Sequence, residues 1–358
     1  MHLTGTQLFP AMDRVVFGKP MADVVAAEAA RLGKQRVFLV VSRTLHTQTD
    51  AIARLRDALG ERFAGLYDGI PQHTSRAVVA HATQAALEGL DAFETKPGPD
   101  GRPVRPEFRG PSVRMIAVPS TLSGGEYNAG CLVTDTERKL KQTFFHPFMM
   151  PMAIVLDPAL ALHAPETLWT GSGTRAMDHA IEALCSRMGT PLVDAVVLDG
   201  IRRMVDALPR SKANPQDLEA RRDGQLASWL CSFGLQSRVP MGASHAIGHV
   251  LGGTCGVPHF LCTPAMMPGV LKFNEPASEA AQRALAAALG HPEMSASDAF
   301  RAFADSLGLP TSLAAVGVGR DQFELIARNT MTEFFIFSNP RKVKTPAEVL
   351  EILDLAAQ

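Results

Sequence analysis

The sequence predicts a two-part molecule: an α/β domain on a doubly wound parallel sheet over residues 1–158, then an all-α domain over 159–358. Three observations lead there. The first third alternates short β-branched runs with amphipathic helical patterns, the rhythm of βαβ units. Strand signals almost vanish after Asp157-Pro158. The composition, 46% hydrophobic and 20% charged over 358 residues, allows a sizeable buried core. With 35 Lys+Arg against 36 Asp+Glu, the net charge of -1 offers no basic field for nucleic acid. No apolar run approaches the roughly 18 residues of a membrane span.

Each element follows from its pattern. Arg14 to Phe17 reads as a short strand closed by Gly18, and Met21 to Leu32 as a helix stopped by Gly33. Arg36 to Val41 (RVFLVV) is nearly continuous in apolar residues, as expected of a parallel strand buried on both faces. Helix Asp50 to Leu59, strand Phe63 to Tyr67 and helix Ser75 to Ala86 continue the alternation, a Rossmann-like layout able to hold a dinucleotide. Glu94 to Ser112, rich in Pro, Gly and charge, is expected to be a surface loop. Val113 to Val118 and Ala153 to Leu156 resume the sheet. Helical patterns then cover Glu166 to Met188, Leu192 to Leu208, Asp217 to Gln236, His245 to Leu251, Ala277 to Leu289, Ala296 to Leu307, Arg320 to Arg328 and Pro346 to Ala357.

Three segments carry candidate chemistry. In Gly173 to Leu184 (GTRAMDHAIEAL), Met177, Ile181, Leu184 and Met188 make a core stripe, while Arg175, His179 and Glu182 share another face; Arg175 with Asp178 reads as a surface pair. Gly242 to His259 (GASHAIGHVLGGTCGVPH) puts three of 11 histidines in 15 residues, with His245 and His249 on one helical face and His259 beyond a Gly-rich turn. Ala246 stands where a zincin motif puts its catalytic Glu, so that motif is excluded. Val118 to Gly130 (VPSTLSGGEYNAG) runs from a strand into hydroxyls and paired glycines suited to phosphate oxygens. Cys131, Cys185, Cys231, Cys255 and Cys262 are widely spaced, with no CxxC pair, and fit buried thiols in a reducing cytoplasm. The N-terminal MHLTGTQLFPAMDRVVFG has no basic start or apolar h-region, so a cytoplasmic location is expected.

Together, His245-xxx-His249-VLGG-xxxx-Pro258-His259 and the upstream RAMDHAIEAL resemble the iron-containing (group III) alcohol dehydrogenase superfamily, maleylacetate reductase-like branch. The resemblance runs from RVVFGKP to NPRKVKTPAEVLEIL. It implies the dehydroquinate synthase-like, iron-type alcohol dehydrogenase fold, with the active site between the two domains. It also implies a small-molecule substrate, a homodimer joined through N-terminal strands, and NADH or NADPH as cofactor. By position, the metal-ligand histidines are His179, His245 and His259, and His249 is the non-ligand histidine of the cleft. Arg175 takes the place of the aspartate ligand, where a guanidinium repels Fe²⁺ or Zn²⁺. Three histidines plus water can still hold zinc, but a metal-free or weakly binding site is favoured, with Arg175 facing an anionic substrate.

The resemblance places cofactor contacts at Ser120, Thr121, Ser123, Gly124 and Lys141. Ser42, where NAD-specific relatives have Asp, and Arg43 leave room for a 2′-phosphate. The family's GGGSxxDxxK pyrophosphate turn has no counterpart after Ala86. Losing a central strand should ruin the sheet, so omitted residues are expected there; an Ala86–Leu87 Cα separation near ~3.8 Å would argue otherwise. The leading expectation is an NAD(P)H-dependent reductase acting on a ketone-conjugated carbon, with His249 or His245 as general acid and Arg175 beside the developing enolate. The alternatives are a metal-dependent alcohol dehydrogenase and a non-catalytic homologue without its phosphate cradle.

Overall fold

In the computed structural model, strand β1 (Arg14–Phe17) pairs in parallel with Ala153–Leu156, the last strand of the chain order. That last strand, β9, is the centre of a three-stranded sheet and pairs on its other side with β6 (Ile116–Ala117), also in parallel. All four β9 residues are buried, as a central AIVL run between covered faces should be. The chain is described at residues 7–9, 11–70, 94–99, 103–104, 106, 113–135, 137 and 140–357. The expected helix Ser75 to Ala86 and the Ala86–Leu87 junction lie outside them.

A second parallel pair, β2 (Val37–Val40) with β3 (Phe63–Tyr67), forms its own two-stranded sheet among the described residues. Helices Met21–Arg31 and Ala51–Leu59 cover one face of these strands, with Met21, Val25, Leu39, Ile52, Leu55 and Val155 in one core. This corrects the expectation for RVFLVV. Leu39 is buried, but Phe38 and Val40 are 56% and 61% exposed, because the helices of that core cover only the Leu39 side. Asp157, at the end of β9, fastens two helices at once. Its Oδ1 accepts from Ala159 N at 2.9 Å and its Oδ2 from Met21 N at 2.8 Å, satisfying first-turn amides of both.

Residues expected as one surface loop contain strand β4 (Glu94–Pro97) and short β5 (Pro103–Val104), with Thr95 buried. They join an antiparallel sheet, order β5-β4-β8-β7, whose main hairpin is β7 (Gly130–Asp135) with β8 (Leu140–Phe145). Proline cannot donate to a ladder, and both prolines pair with each other at the sheet's outer edge.

From residue 158 onward the described elements are helical. The two cores here centre on helices Glu166–Cys185 with Pro191–Ala213, and on Ala243–Thr254 with Pro346–Ala356. Helix His259–Ala288 contributes to both and breaks at Ser278, two residues after Pro276. Glu166–Cys185 ends before Met188, which is 68% exposed instead of closing the expected core stripe. No described helix is long and apolar enough to cross a membrane.

Candidate active site

The site is built on helix Glu166–Cys185, buried at every residue from Trp169 to Cys185. Its polar side chains must therefore find partners inside the fold. Arg175 and Asp178, expected as a surface pair, are 4% and 0% exposed, because helices pack against both sides of their helix. Arg175 Nη1 donates to Asp178 Oδ2 at 2.7 Å and to Thr263 Oγ1 at 3.3 Å. The same Asp178 oxygen accepts from Thr263 Oγ1 at 2.7 Å and Ser244 Oγ at 2.9 Å.

One turn further on, Glu182 sits at the N-terminus of helix Ala243–Thr254. It accepts from Gly242 N and Ser244 N, each at 2.8 Å, where the first-turn amides and helix dipole favour an anion. Its Oε2 also lies 2.7 Å from His245 Nδ1, which places that ring's proton on Nδ1 when the imidazole is neutral. His245 Nε2 is buried without a hydrogen-bond partner. His249, one turn along, has Nδ1 at 3.1 Å from Glu333 Oε2. The site thus has two imidazoles, each backed by a buried carboxylate.

All the sequence-predicted histidines meet here. The His179 and His245 rings stack with centroids 4.9 Å apart, His245 and His249 meet edge-on at 6.3 Å, and His249 stacks on His259 at 6.2 Å. Phe335 packs against both central rings, at 6.1 and 5.7 Å. Burial, reinforced by the nearby His245 and Arg175 charges, pushes His179 well below the ordinary imidazole pKa. For His245, burial and the Arg175 charge oppose protonation, but Asp178 and Glu182 outweigh them and raise its pKa. Asp178 is the reverse case: burial would raise its pKa, while the His245 and Arg175 charges and hydrogen bonds from His245 and Thr263 hold it below the carboxylate range.

The loop of residues 118–130 closes over His179. Leu122 fixes it to the helical half, accepting from Ser228 Oγ at 2.8 Å and donating from N to Ser172 Oγ at 3.0 Å. Gly124 has φ +73°, and a Cβ there would lie 2.3 Å from Ser232 Oγ and 3.2 Å from His179 Nδ1. Only glycine fits both the conformation and the space. Ser120, Thr121 and Ser123 lie half-buried on this loop. Lys141 lies on β8, whose strand packs against helix Ala243–Thr254. Ser42 and Arg43 follow strand β2; the Ser42 hydroxyl caps helix Arg43–Gln48 through Leu45 N, and Arg43 is exposed.

The carboxylates beside His245 are largely committed to donors of the protein itself. Asp178, Glu182 and His245 bring ligand-type atoms within 4.8 Å of one another. Yet Glu182 has both oxygens on backbone amides, Asp178 Oδ2 serves three donors, and a guanidinium shares the cluster. Asp178, Ser244, Thr263 and Glu333 escaped sequence reasoning as members of the site. Ser244 lies within the histidine motif, next to His245, and was legible by position; Glu333, 84 residues from His249, had no local signal.

A parallel sheet feeding a helical half, with a histidine cluster beneath a Gly-bearing loop, defines an oxidoreductase of the iron-type alcohol dehydrogenase architecture. The chain belongs to the Fe-containing alcohol dehydrogenase family, whose C-terminal domain matches residues 170–357, and it is an NAD(P)H-dependent reductase. It is similar to the maleylacetate reductases of Rhizobium sp. (strain MTP-10005), at 33% identity over 88% of each chain, and of Burkholderia cepacia, at 32% over 95% of each. The crystal structure of maleylacetate reductase from Rhizobium sp. strain MTP-10005 matches it with a TM-score of 0.81 at 28% identity, covering 99% of both chains.

Proposed function

We propose that this chain reduces maleylacetate or a closely similar unsaturated oxo-dicarboxylate. The observation that carries the reading is the pair of carboxylate-backed imidazoles, His245 with Glu182 and His249 with Glu333, lying beside the loop that closes on His179. When bound, the reduced nicotinamide supplies the hydride. Ser120, Thr121, Ser123, Gly124 and Lys141 would hold its nicotinamide end, and Ser42 with Arg43 its adenosine end, with NADPH accepted as well as NADH.

The chain's own residues manage the charge. Hydride addition to a carbon conjugated with a ketone moves an electron pair onto the carbonyl oxygen. His245, whose protonated form is favoured by two carboxylates, and the fixed Arg175 charge stabilise that enolate. His249 then delivers a proton to the α-carbon, with Glu333 stabilising the imidazolium beforehand. The five cysteines, free of disulfides, suit the reducing cytoplasm we assign to it. The edge strand β1 with its exposed Phe17 suits a homodimer.

The test is oxidation of NADPH and NADH with maleylacetate, compared with simple aldehydes. Maleylacetate is expected to turn over best, and His249→Ala to lower kcat by about 10²-fold with KM little changed. Faster turnover of unactivated aldehydes would move the substrate assignment. An unchanged kcat would remove His249 from proton transfer.

A further inference from the structure

Three histidines on three helices, two of them buried, are ordinarily a divalent-metal constellation. His179 lies on helix Glu166–Cys185, His245 on Ala243–Thr254, and His259 opens His259–Ala288. In a metal site the cation is what joins such helices. Here one carboxylate oxygen already does so. Asp178 Oδ2 accepts from Arg175 Nη1 of its own helix, Ser244 Oγ of the second and Thr263 Oγ1 of the third. Arg175 Nη1 reinforces the link by also donating to Thr263 Oγ1. The pair is wholly enclosed, at 4% and 0% side-chain exposure.

We propose that the Arg175–Asp178 ion pair replaces the metal cross-link, with Asp178 tying together the three histidine-bearing helices and Arg175 occupying, in charge, the role of the cation. The guanidinium is permanently charged, so the cluster cannot become cation-receptive by losing a proton. Asp178 supplies the counter-charge without which a buried guanidinium would be prohibitive. Family membership, and not the identity of the substrate, underlies this assignment; a different substrate would leave it standing.

The experiment uses the full chain, expressed with iron and zinc in the medium. Metal content is measured by mass spectrometry, and thermal unfolding is followed with and without dipicolinate or added ZnCl₂. The wild type is expected to carry far less than one metal per chain, and its midpoint to be unmoved by either addition. Arg175→Asp is expected to take up one zinc per chain, with a midpoint that zinc raises and dipicolinate lowers. A merely structural role for the pair would not create zinc uptake. Stoichiometric metal in the wild type, with a midpoint that falls on chelation, would overturn the proposal. So would an Arg175→Asp protein that folds and takes up no more zinc than the wild type. If that variant does not fold, the wild-type metal content and chelation result decide alone.

Discussion

Each central histidine of the cluster is held by a carboxylate, and these contacts are where single substitutions should speak most clearly. Glu333 reaches His249 from the turn after helix Phe323–Thr330, with 7% of its surface exposed. Glu333→Gln keeps the shape but removes the charge that stabilises the imidazolium. It is expected to lower kcat roughly tenfold or more, part of the full general-acid effect, while leaving KM for the carbonyl substrate nearly unchanged. Steady-state kinetics checks this, and a change confined to KM would assign Glu333 to substrate binding. Glu126 offers a different test. Loss of solvent around this half-buried residue pushes its carboxyl up to about 7, partly offset by its own backbone hydrogen bond. A folded pKa above the unfolded value favours the protonated form. The associated stability is full below the unfolded pKa of about 4.5 and is lost as pH rises through about 7. Glu126→Gln should therefore be more stable than the wild type at pH ~8, by about 1–3 kcal/mol, and show little gain at pH ~4. Urea unfolding at the two pH values measures it.

Among elements, the 118–130 loop is the part whose geometry is least forgiving. Gly124→Ala must place a side chain against Ser232 and His179 at φ +73°, whereas a Cβ on Gly125 meets nothing within 4 Å. The first substitution is expected to cost about 1–3 kcal/mol and to raise KM for the nicotinamide cofactor; the second should be close to neutral. Equal effects of the two would mean that the loop is not held against His179. The loop could be singled out as a candidate from its hydroxyls and paired glycines, and the helical half could be read from its 3.6-residue periodicity, as Ala296–Ser306 shows. Hairpin β7–β8 was harder. Its Cys131 to Asp135 and Leu140 to Phe145 runs alternate weakly, and cross-strand pairing, not local pattern, defines them. Asp178 was visible only as an i,i+3 neighbour of Arg175. On an exposed helix that spacing is a minor surface pair; burial turns it into the hub of three helices, and burial was not legible there.

For the whole molecule, the two halves differ in how completely they bury their elements. Helix Glu166–Cys185 is enclosed along nearly its whole length, whereas strands β2 and β3 make a two-stranded sheet with Phe38 and Val40 exposed. Local opening follows buried apolar contact, so amide exchange should be slowest in Trp169–Cys185 and clearly faster in Val37–Tyr67. A dinucleotide changes this balance if it spans the molecule as proposed, because Ser42 and Arg43 follow β2 while Ser120 to Gly124 follow β6 near the histidines. These segments belong to separate sheets, and a single ligand touching both would tie them together. Adding NADPH is expected to slow exchange in residues 37–43 and 118–124 together, by a factor that grows with ligand concentration until saturation. With Ser42 offering no carboxylate to repel a 2′-phosphate, NADPH should protect both segments at least as well as NADH. Protection confined to 118–124 would place the adenosine half elsewhere and remove Ser42 and Arg43 from the cofactor site. Protection in neither segment, in a chain still able to fold, would mean that the 118–130 loop closes on His179 without holding a nicotinamide.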